Sequence, residues 1–387
     1  MQAQTNLSKI TCTVDANVVD ELDKALNDLH IPEVYVQRAK QVSLLDHAGF
    51  LGLRPTTTLE ENRALFYRFY VPKNFESSVM RRIADAADLY LPGHGSVYAR
   101  DVSLLRHTPL KFDMERLTAL ADSNTEAVAE NHFLFICIVQ RGMASSIATT
   151  ILEMGLCVPL ISFGTGIGIR DRLRLLRITI SAEKEVMYLL VPRGDVELVE
   201  NIIRHKARLD LPGQGFLYEI NIRAVAVNLR VRRGKRAYAA TMDQVIAAMD
   251  QMKGSSEWRR MGESRNYETR KSNVKKFTCV SVVADEGSLD PFSRAAMDAG
   301  ASGATLIPLE LHFYSGGKNE DHSASHAKES YDIIIPTSIQ DAVMKAVDKE
   351  SFFGQEGRMI ELTPVEQVVT SARGKKEDER KKEKTSV

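Results

Sequence analysis

The sequence lacks the features that mark several large classes of protein. Its 387 residues include only 4 cysteines and no CxxC pair, which excludes a disulfide framework and a cysteine-based zinc site. No apolar run approaches the ~20 residues that span a bilayer, and we expect neither a signal peptide nor a transit peptide at the N-terminus. An excess of one charge is missing too, because 51 basic residues balance 51 acidic ones, so no global field draws the chain onto nucleic acid or a membrane.

What is present is the composition of a soluble protein with several small domains. Apolar residues make up 44% and charged residues 26% of the chain, which supplies enough material for hydrophobic cores. A length of 387 residues suits two or three domains of roughly 100 to 150 residues each. We therefore expect a multidomain cytoplasmic protein.

The chain repeats itself three times. The LPGHG segment at 91–95 returns as LPGQG at 211–215, and a more divergent GQEG stands at 354–357. Each of these turns follows an apolar-Pro pair, and each copy opens with an apolar run that contains a cysteine. The pairs are Val71-Pro72, Val191-Pro192 and Ile335-Pro336, and the cysteines are Cys12, Cys137 and Cys279. Three landmarks that recur three times in the same order indicate a triplication.

The second copy shows the order of secondary structure most clearly. Apolar runs predict strands at 133–139, 158–163, 186–191 and 216–222, and helical spacing predicts helices at 145–154 and 196–207. The glycines at 164–168 predict a break after the second strand. The order βαββαβ predicts an α+β fold in which a four-stranded antiparallel sheet carries two helices on one face, the ferredoxin-like arrangement.

One face of each such sheet is bare, and three copies in one chain can cover each other. The simplest closure is a single-chain pseudo-trimer that acts as a monomer. The predicted boundaries are 1–112 for repeat one, 113–130 for a helical linker, 131–236 for repeat two, 237–273 for a helical and then basic linker, 274–372 for repeat three and 373–387 for a disordered charged tail. A basic linker is typical of a solvated connector, so we expect no nucleic-acid partner.

Four features of repeat two carry a resemblance to a known family. They are Gly164-Thr165-Gly166 after the second strand, Val191-Pro192 after the third, the turn Gly213-Gln214-Gly215, and Arg230 with Arg232 after the last strand. In this order they resemble the PII signalling protein superfamily, and the likeness extends through all three repeats. Members of that superfamily are trimers of ferredoxin-like subunits that sense adenine nucleotides and control transporters, enzymes or transcription factors through a mobile loop.

The resemblance implies nucleotide sites in the clefts between repeats. Gly-x-Gly turns let backbone N–H groups approach phosphate oxygens, and two arginines spaced by two on a strand can fork onto a polyphosphate. A lysine before the third strand contacts ligand in the family. The implied site residues are Gly164, Thr165, Gly166, Lys184, Gly213, Gln214, Gly215, Arg230 and Arg232 from repeat two, Gly93 and Gly95 from repeat one, and Gly357 and Arg358 from repeat three.

The three clefts are chemically unequal. Repeat one has Ala39-Lys40-Gln41 and repeat three has Pro308-Leu309-Glu310 where repeat two has its first Gly-x-Gly. We therefore expect one or two competent nucleotide sites. The glutamine with which nitrogen-sensing members chelate magnesium falls near Gly168 or Ile169, so 2-oxoglutarate sensing is not expected.

Predicted loops at 43–62, 170–184 and 312–328 correspond to the mobile loops of the family. Their apolar side chains either dock a partner or pack on neighbouring repeats, and these are Phe50, Leu51, Leu173, Leu175 and Leu176. The histidines of the third loop are either metal ligands or part of a polar loop tip, and these are His312, His322 and His326. The three first-strand cysteines are either core residues or a three-thiolate metal site.

The resemblance implies a regulatory protein. It would bind ATP, ADP, AMP or cyclic AMP and control a partner such as a membrane transporter or a metabolic complex, to which this cytoplasmic protein would be recruited. The alternative is a scaffolding pseudo-trimer that has lost most ligand binding and only holds a partner. An enzyme is not expected, because the chain has no nucleophile elbow, metal-ligand helix or P-loop.

Overall fold

The structure is a computed structural model that describes residues 2–47, 56–91, 93–121, 132–168, 182–227, 232–233, 237–238, 276–314, 326–349 and 357–370. Within these ranges the protein is an α+β protein built on one large and almost wholly antiparallel sheet, so the predicted fold class is confirmed at this level. Three units follow one another along the chain, and each supplies four long strands to the sheet.

The first unit covers the N-terminal third of the chain. Its elements are β1 (Gln2–Asp15), α1 (Val19–Asp28), β2 (Val34–His47), β3 (Thr56–Pro72), α2 (Glu76–Ala86) and β4 (Gly95–Arg106), followed by the linker helix α3 (Met114–Ala121). The pairing of β2 with β3 continues to His47 and Thr56. Most of the predicted loop at 43–62 is therefore a long hairpin, because Ser43–His47 and Thr56–Asn62 continue the antiparallel ladder. Phe50 and Leu51 lie outside the described residues.

The second and third units repeat this order. Unit two contains β5 (His132–Gln140), α4 (Ala144–Glu153), β6 (Leu160–Gly168), β7 (Glu183–Pro192), α5 (Val196–Lys206), β8 (Gly215–Ile222) and the short β9 (Ala224–Val227), β10 (Arg232–Arg233) and β11 (Ala237–Tyr238). Unit three contains β12 (Phe277–Asp285), α6 (Asp290–Asp298), β13 (Gly303–His312), β14 (His326–Pro336), α7 (Gln340–Lys349), β15 (Met359–Val365) and β16 (Gln367–Val369). Both helices predicted in repeat two are confirmed to within one residue at each end.

The repeated apolar-Pro pair has a local structural cause. Pro72, Pro192 and Pro336 each end the third strand of a unit, and each is followed by one turn of 3-10 helix that leads into the second helix. Proline has no N–H to donate to a ladder, so it stops the strand. Its fixed φ is also compatible with the helical turn that follows.

Hydrogen bonding gives the same strand order in all three units. The orders are β2-β3-β1-β4, β6-β7-β5-β8 and β13-β14-β12-β15. One face of each four-stranded sheet is covered by its own two helices, over an apolar core that contains Phe69 in unit one, Phe135 in unit two and Phe292 in unit three. The opposite faces meet at the centre of the molecule, where Phe66, Tyr98, Tyr188 and Tyr218 lie in one cluster.

The second strands of the units join in a closed cycle. The middle of β2 pairs with the start of β6 at Lys40–Gln41, and the end of β6 pairs with the start of β13 at Thr165–Gly168. The end of β13 returns to the start of β2 at Glu310–His312. We call these contacts the one–two, two–three and three–one seams. The second strand of each unit therefore pairs with the second strands of both other units.

The fourth strands form a second closed cycle. The segment β9 of unit two pairs with β4 of unit one, and β16 of unit three pairs with β8 of unit two. The last residues of β4, Ser103–Arg106, pair with β15 of unit three. Exposed strand edges invite aggregation, and both cycles remove such edges within a single chain.

Candidate functional site

The Gly-rich segment predicted to break the chain lies inside β6. Its residues pair on one side with β7 and on the other with β13. A Cβ on Gly164 would lie 2.8 Å from the carbonyl oxygen of Leu306, and one on Gly303 would lie 2.7 Å from that of Ile167. The predicted break is therefore wrong: the glycines let β6 and β13 approach each other across the two–three seam, while the strand continues to Gly168.

Thr165, Gly166 and Lys184 lie together at this seam. Lys184 is the register partner of Gly164, and its Cε would lie 3.0 Å from a Cβ on Gly166. The N–H of Gly166 donates to the carbonyl oxygen of Ala182 at 2.7 Å. Because this donor already has a backbone acceptor, it is not available to a phosphate group.

The LPGxG turns lead into the fourth strands of units one and two. Gly93 and Gly213 have φ of 86° and 83°. A Cβ on Gly95 would lie 1.8 Å from the carbonyl oxygen of Thr13, and one on Gly215 would lie 2.2 Å from that of Ile138. Glycine is required here because both the positive φ and the closeness of the adjacent strand exclude a side chain.

Each of these turns is held by a glutamine. In unit one, Gln41 Nε2 donates to the carbonyl oxygen of Gly93 at 3.1 Å, and in unit two Gln140 Nε2 donates to that of Gly213 at 2.9 Å. The N–H of Gln214 bonds back to the carbonyl oxygen of Leu211 at 3.4 Å. Gln41 is also the register partner of Leu160 in β6, so the turn at Gly93 lies beside the one–two seam.

The predicted residues of repeat three lie at a different kind of turn. Gly357 has φ of 76°, and a Cβ there would lie 3.3 Å from Lys328 Nζ. That ammonium forms an ion pair with Asp285 at 2.6 Å. Burial lowers the pKa of the neighbouring Arg358, and Asp285 opposes the shift. The turn therefore brings two basic side chains and one carboxylate together.

The basic segment after unit two returns to unit one. Arg232 and Arg233 form β10, and Arg233 pairs in parallel with Leu44 of β2. Leu44 stands close in sequence to Gln41, whose side chain holds the turn at Gly93. The structure thus brings the backbone of Arg232 and Arg233 and the first LPGxG turn to the same seam. Arg230 lies outside the described residues.

A polar cavity lies at the centre of the molecule, where the three sheet faces meet. All three units line it. Glu361 is its most enclosed charged residue, with 1% of its side chain exposed. Its Oε2 accepts from Lys9 Nζ at 2.6 Å and from Tyr70 Oη at 2.7 Å, while its Oε1 accepts from Arg100 Nη2 at 2.7 Å. A further bond of 3.0 Å comes from Thr363 Oγ1.

The charges of this cluster hold one another in place. Burial alone would raise the pKa of Glu361, but the positive charges of Lys9 and Arg100 outweigh it and lower that pKa to about 2. Burial also lowers the pKa of Lys9 to about 8, although Glu361 opposes that shift. All three residues are therefore charged at neutral pH.

The three units contribute unequal chemistry to the cavity at equivalent register positions. Thr11, Ile136 and Ser281 occupy the same place in the three first strands, because each faces the residues that line the cavity from its two neighbouring strands. On one neighbouring strand these residues are Tyr98, Tyr218 and Glu361, and on the other they are Arg68, Tyr188 and Asp332. Unit one thus supplies cations, unit three carboxylates and unit two apolar and phenolic groups.

The cysteines do not converge on one site. Cys12 and Cys137 lie in the helix-covered cores of units one and two, whereas Cys279 lines the cavity. Because Ser281 is equivalent to Thr11 and Ile136, the counterpart of Cys12 and Cys137 in unit three is Val282, which lies in the core. Cys279 stands three residues earlier, and since successive side chains of a strand alternate between its faces, it lies on the opposite face. Burial raises the pKa of the Cys279 thiol to about 12, which disfavours the thiolate.

The histidines of the third predicted loop stand at its two ends. His312 Nε2 lies 3.7 Å from Glu310 Oε2, and the ring of His326 meets the ring of Phe313 edge-on at 5.7 Å. His322 and the apolar residues Leu173, Leu175 and Leu176 lie outside the described residues. Among the residues that the structure describes, no group of three or more His, Cys, Asp or Glu side chains could hold a metal ion.

Sequence reasoning missed the residues of the central cavity. Lys9, Arg68 and Arg100 stand at alternating positions of strands whose other inward residues are mostly apolar or aromatic. A charged residue in such a pattern is the one signal available before the structure is known. Its partner Glu361 comes from the other end of the chain, and no local pattern connects the two.

The described part of the chain has no helix that is both long and apolar enough to pass through a bilayer. Neither a family model nor a curated protein matches this sequence.

Proposed function

We propose that this protein is a PII-like regulator in which three ferredoxin-like units form a single-chain pseudo-trimer. It binds one adenine nucleotide at the one–two seam and controls a protein partner, such as a membrane transporter or a metabolic complex, from the cytoplasm. The proposal assigns it no catalytic activity.

The two closed strand cycles support the pseudo-trimer. In each cycle one unit pairs with the next in the same sense, and the third returns to the first. Cyclic oligomers close by the same head-to-tail rule. The identical strand order of the three units is the order expected of a ferredoxin-like βαββαβ unit.

The position of β10 is the observation that carries the nucleotide proposal. Its backbone pairs with β2 at Leu44, next to the Gln41 side chain that holds the turn at Gly93. A cleft that joins a Gly-x-Gly turn from one unit to an Arg-x-Arg segment from another combines backbone approach with forked cationic donors. Within the described ranges the two–three seam does not show this combination, because its glycines are committed to strand pairing.

Calorimetric titration with ATP, ADP, AMP and cyclic AMP tests the proposal. We expect saturable binding of one equivalent of at least one of these nucleotides. The double variant Arg230→Ala/Arg232→Ala should weaken it by about tenfold or more, the cost of one or two lost charge-assisted hydrogen bonds. Arg82→Ala is the matched control, since Arg82 lies on α2 and pairs with Asp28 at 3.4 Å.

A scaffold is the second candidate, and one observation favours it. The Gly-x-Gly of repeat two is explained by strand packing, with the N–H of Gly166 already bonded to Ala182. A fused pseudo-trimer that keeps its glycines for packing needs no nucleotide. If none of the four nucleotides binds, or if the double arginine variant binds as tightly as wild type, the nucleotide proposal fails and the scaffold is favoured.

A further inference from the structure

The central cavity holds charged groups that the strand pairing does not require. The equivalent positions of unit two are filled by Leu134, Tyr188 and Ile220, and its strands pair as fully as those of unit one. Lys9, Arg68 and Arg100 are therefore not demanded by the fold. Buried charge is costly, so their presence in unit one calls for a separate cause.

Positive charge exceeds negative charge around the cavity. The charged lining residues are Lys9, Arg68, Arg100, Asp332 and Glu361. Three cations against two carboxylates leave one positive charge without a partner inside this enclosure. A site of low dielectric favours an anion that neutralises such an excess.

Arg68 is the cation without a carboxylate. Among the described residues it makes no ion pair, and its guanidinium lies over the rings of Phe66 at 4.8 Å and Tyr188 at 5.7 Å. A cation–π contact uses the positive charge of the guanidinium and leaves its N–H donors without an acceptor among the described residues. The side chain is only partly buried.

Arg100 supplies a second available donor. Its Nη2 bonds to Glu361, but its Nε is buried and has no hydrogen-bond partner within the described ranges. An unpaired buried donor is costly unless a ligand or water satisfies it. Arg68 and Arg100 both line the cavity, on the two strands that flank β1, and each brings a donor to it.

Size limits what that group can be. The cavity encloses about 50 Å³, which is room for about four water-sized groups. We propose that the cavity binds one small monoanion of the carboxylate or bicarbonate class, held by the guanidinium of Arg68 and by Nε of Arg100. Such an anion neutralises the single excess charge, and its planar oxygens match guanidinium donors. This site is separate from the seam at which we place the nucleotide.

Thermal unfolding and calorimetry with formate, acetate and bicarbonate test the site in the nucleotide-free protein. Chloride replaces each anion at equal ionic strength and pH as the reference. Because a ligand that binds only the folded state stabilises it, we expect the melting temperature to rise with anion concentration and to saturate. Calorimetry should give one equivalent per chain. Benzoate, which exceeds the cavity, should have no effect.

Two variants and one control tie the effect to the cavity. Arg68→Gln should weaken the anion by about tenfold or more, the cost of a lost charge-assisted hydrogen bond. Ser281→Leu keeps every charge and fills part of the cavity, and it should abolish binding. Arg63→Gln lies on the exposed side of the same strand and should leave binding unchanged.

The proposal is overturned if none of the three anions gives a saturable change in melting temperature or heat. It is also overturned if Arg68→Gln and Arg63→Gln respond to the anions as wild type does, since binding would then lie elsewhere. A folded state for each variant is checked by circular dichroism and gel filtration. If Arg68→Gln does not fold, Ser281→Leu decides alone, because it keeps every charge of the lining while it fills part of the cavity.

Discussion

Units one and two have the same strand order but present opposite chemistry to the centre of the molecule. Their helix-covered faces are alike, since both are packed with apolar side chains around Phe69 and Phe135. On the central face unit one presents Lys9 and Arg100, where unit two presents Leu134 and Ile220. The helix-covered face is apolar in both units because it must exclude water. The central face can be closed either by apolar packing or by an ion network.

The ion network also distinguishes the units from one another. It joins cations of unit one to a carboxylate of unit three and leaves unit two apolar. A buried ion pair rarely adds net stability over well-packed apolar residues. The comparison therefore makes opposite predictions for breaking this network and for replacing it.

The largest effect should follow the loss of the central carboxylate. Glu361→Gln leaves Lys9 and Arg100 buried without a counter-charge, so we expect the free energy of unfolding to fall by about 3–5 kcal/mol. Denaturant titration followed by circular dichroism measures it. Tyr218→Phe is the control at the equivalent position of unit two and should cost less than about 1 kcal/mol. Equal losses of unfolding free energy in the two variants would mean that Glu361 contributes no more to stability than Tyr218 does at the equivalent position.

Acid should weaken the ion network around Glu361 and leave the apolar packing of unit two unchanged. The pKa of Glu361 is lowered from its ordinary value of 4.5 to about 2, so its contribution is fully present above pH 4.5 and is lost as the pH falls towards 2. We expect the free energy of unfolding to drop by up to about 3 kcal/mol over this window from this group. Urea titrations at a series of pH values measure the drop. Glu361→Gln should lose that part of the slope, and an unchanged slope would contradict the assignment.

Replacing the whole network should be tolerated. The triple variant Lys9→Leu, Arg100→Ile, Glu361→Tyr places the residues of unit two at the equivalent positions of units one and three. We expect its stability to lie within about 2 kcal/mol of wild type or above it, because the three charges of the network are removed together and none of them stays buried without its partner. Denaturant titrations of the triple variant and of Glu361→Gln, run side by side, compare their free energies of unfolding. A triple variant less stable than Glu361→Gln would show that the ion network itself holds the units together.

The sequence revealed local features and missed those that depend on two distant segments. The helices at 145–154 and 196–207 and the LPGxG turns follow from spacing within a few residues, and the structure has them. The segment at 164–168 was misread, because a glycine that permits a strand from another unit to approach looks the same as one that permits a turn. The bond of Lys9 to Glu361 spans 352 residues, and only the cyclic closure of the units brings them together.

The smallest effect tests whether the glycines of β6 at the two–three seam serve strand packing or ligand binding. Gly164→Ala places a Cβ 2.8 Å from the carbonyl oxygen of Leu306, whereas a Cβ on Gly168 meets nothing within 4 Å. We expect Gly164→Ala to lower the free energy of unfolding by about 1–3 kcal/mol and Gly168→Ala to change it by less than about 0.5 kcal/mol. Neither should alter nucleotide affinity in calorimetry. If Gly164→Ala instead removed nucleotide binding at unchanged stability, the glycines of β6 would belong to a ligand site, and the seam with unit three would be the one that senses the nucleotide.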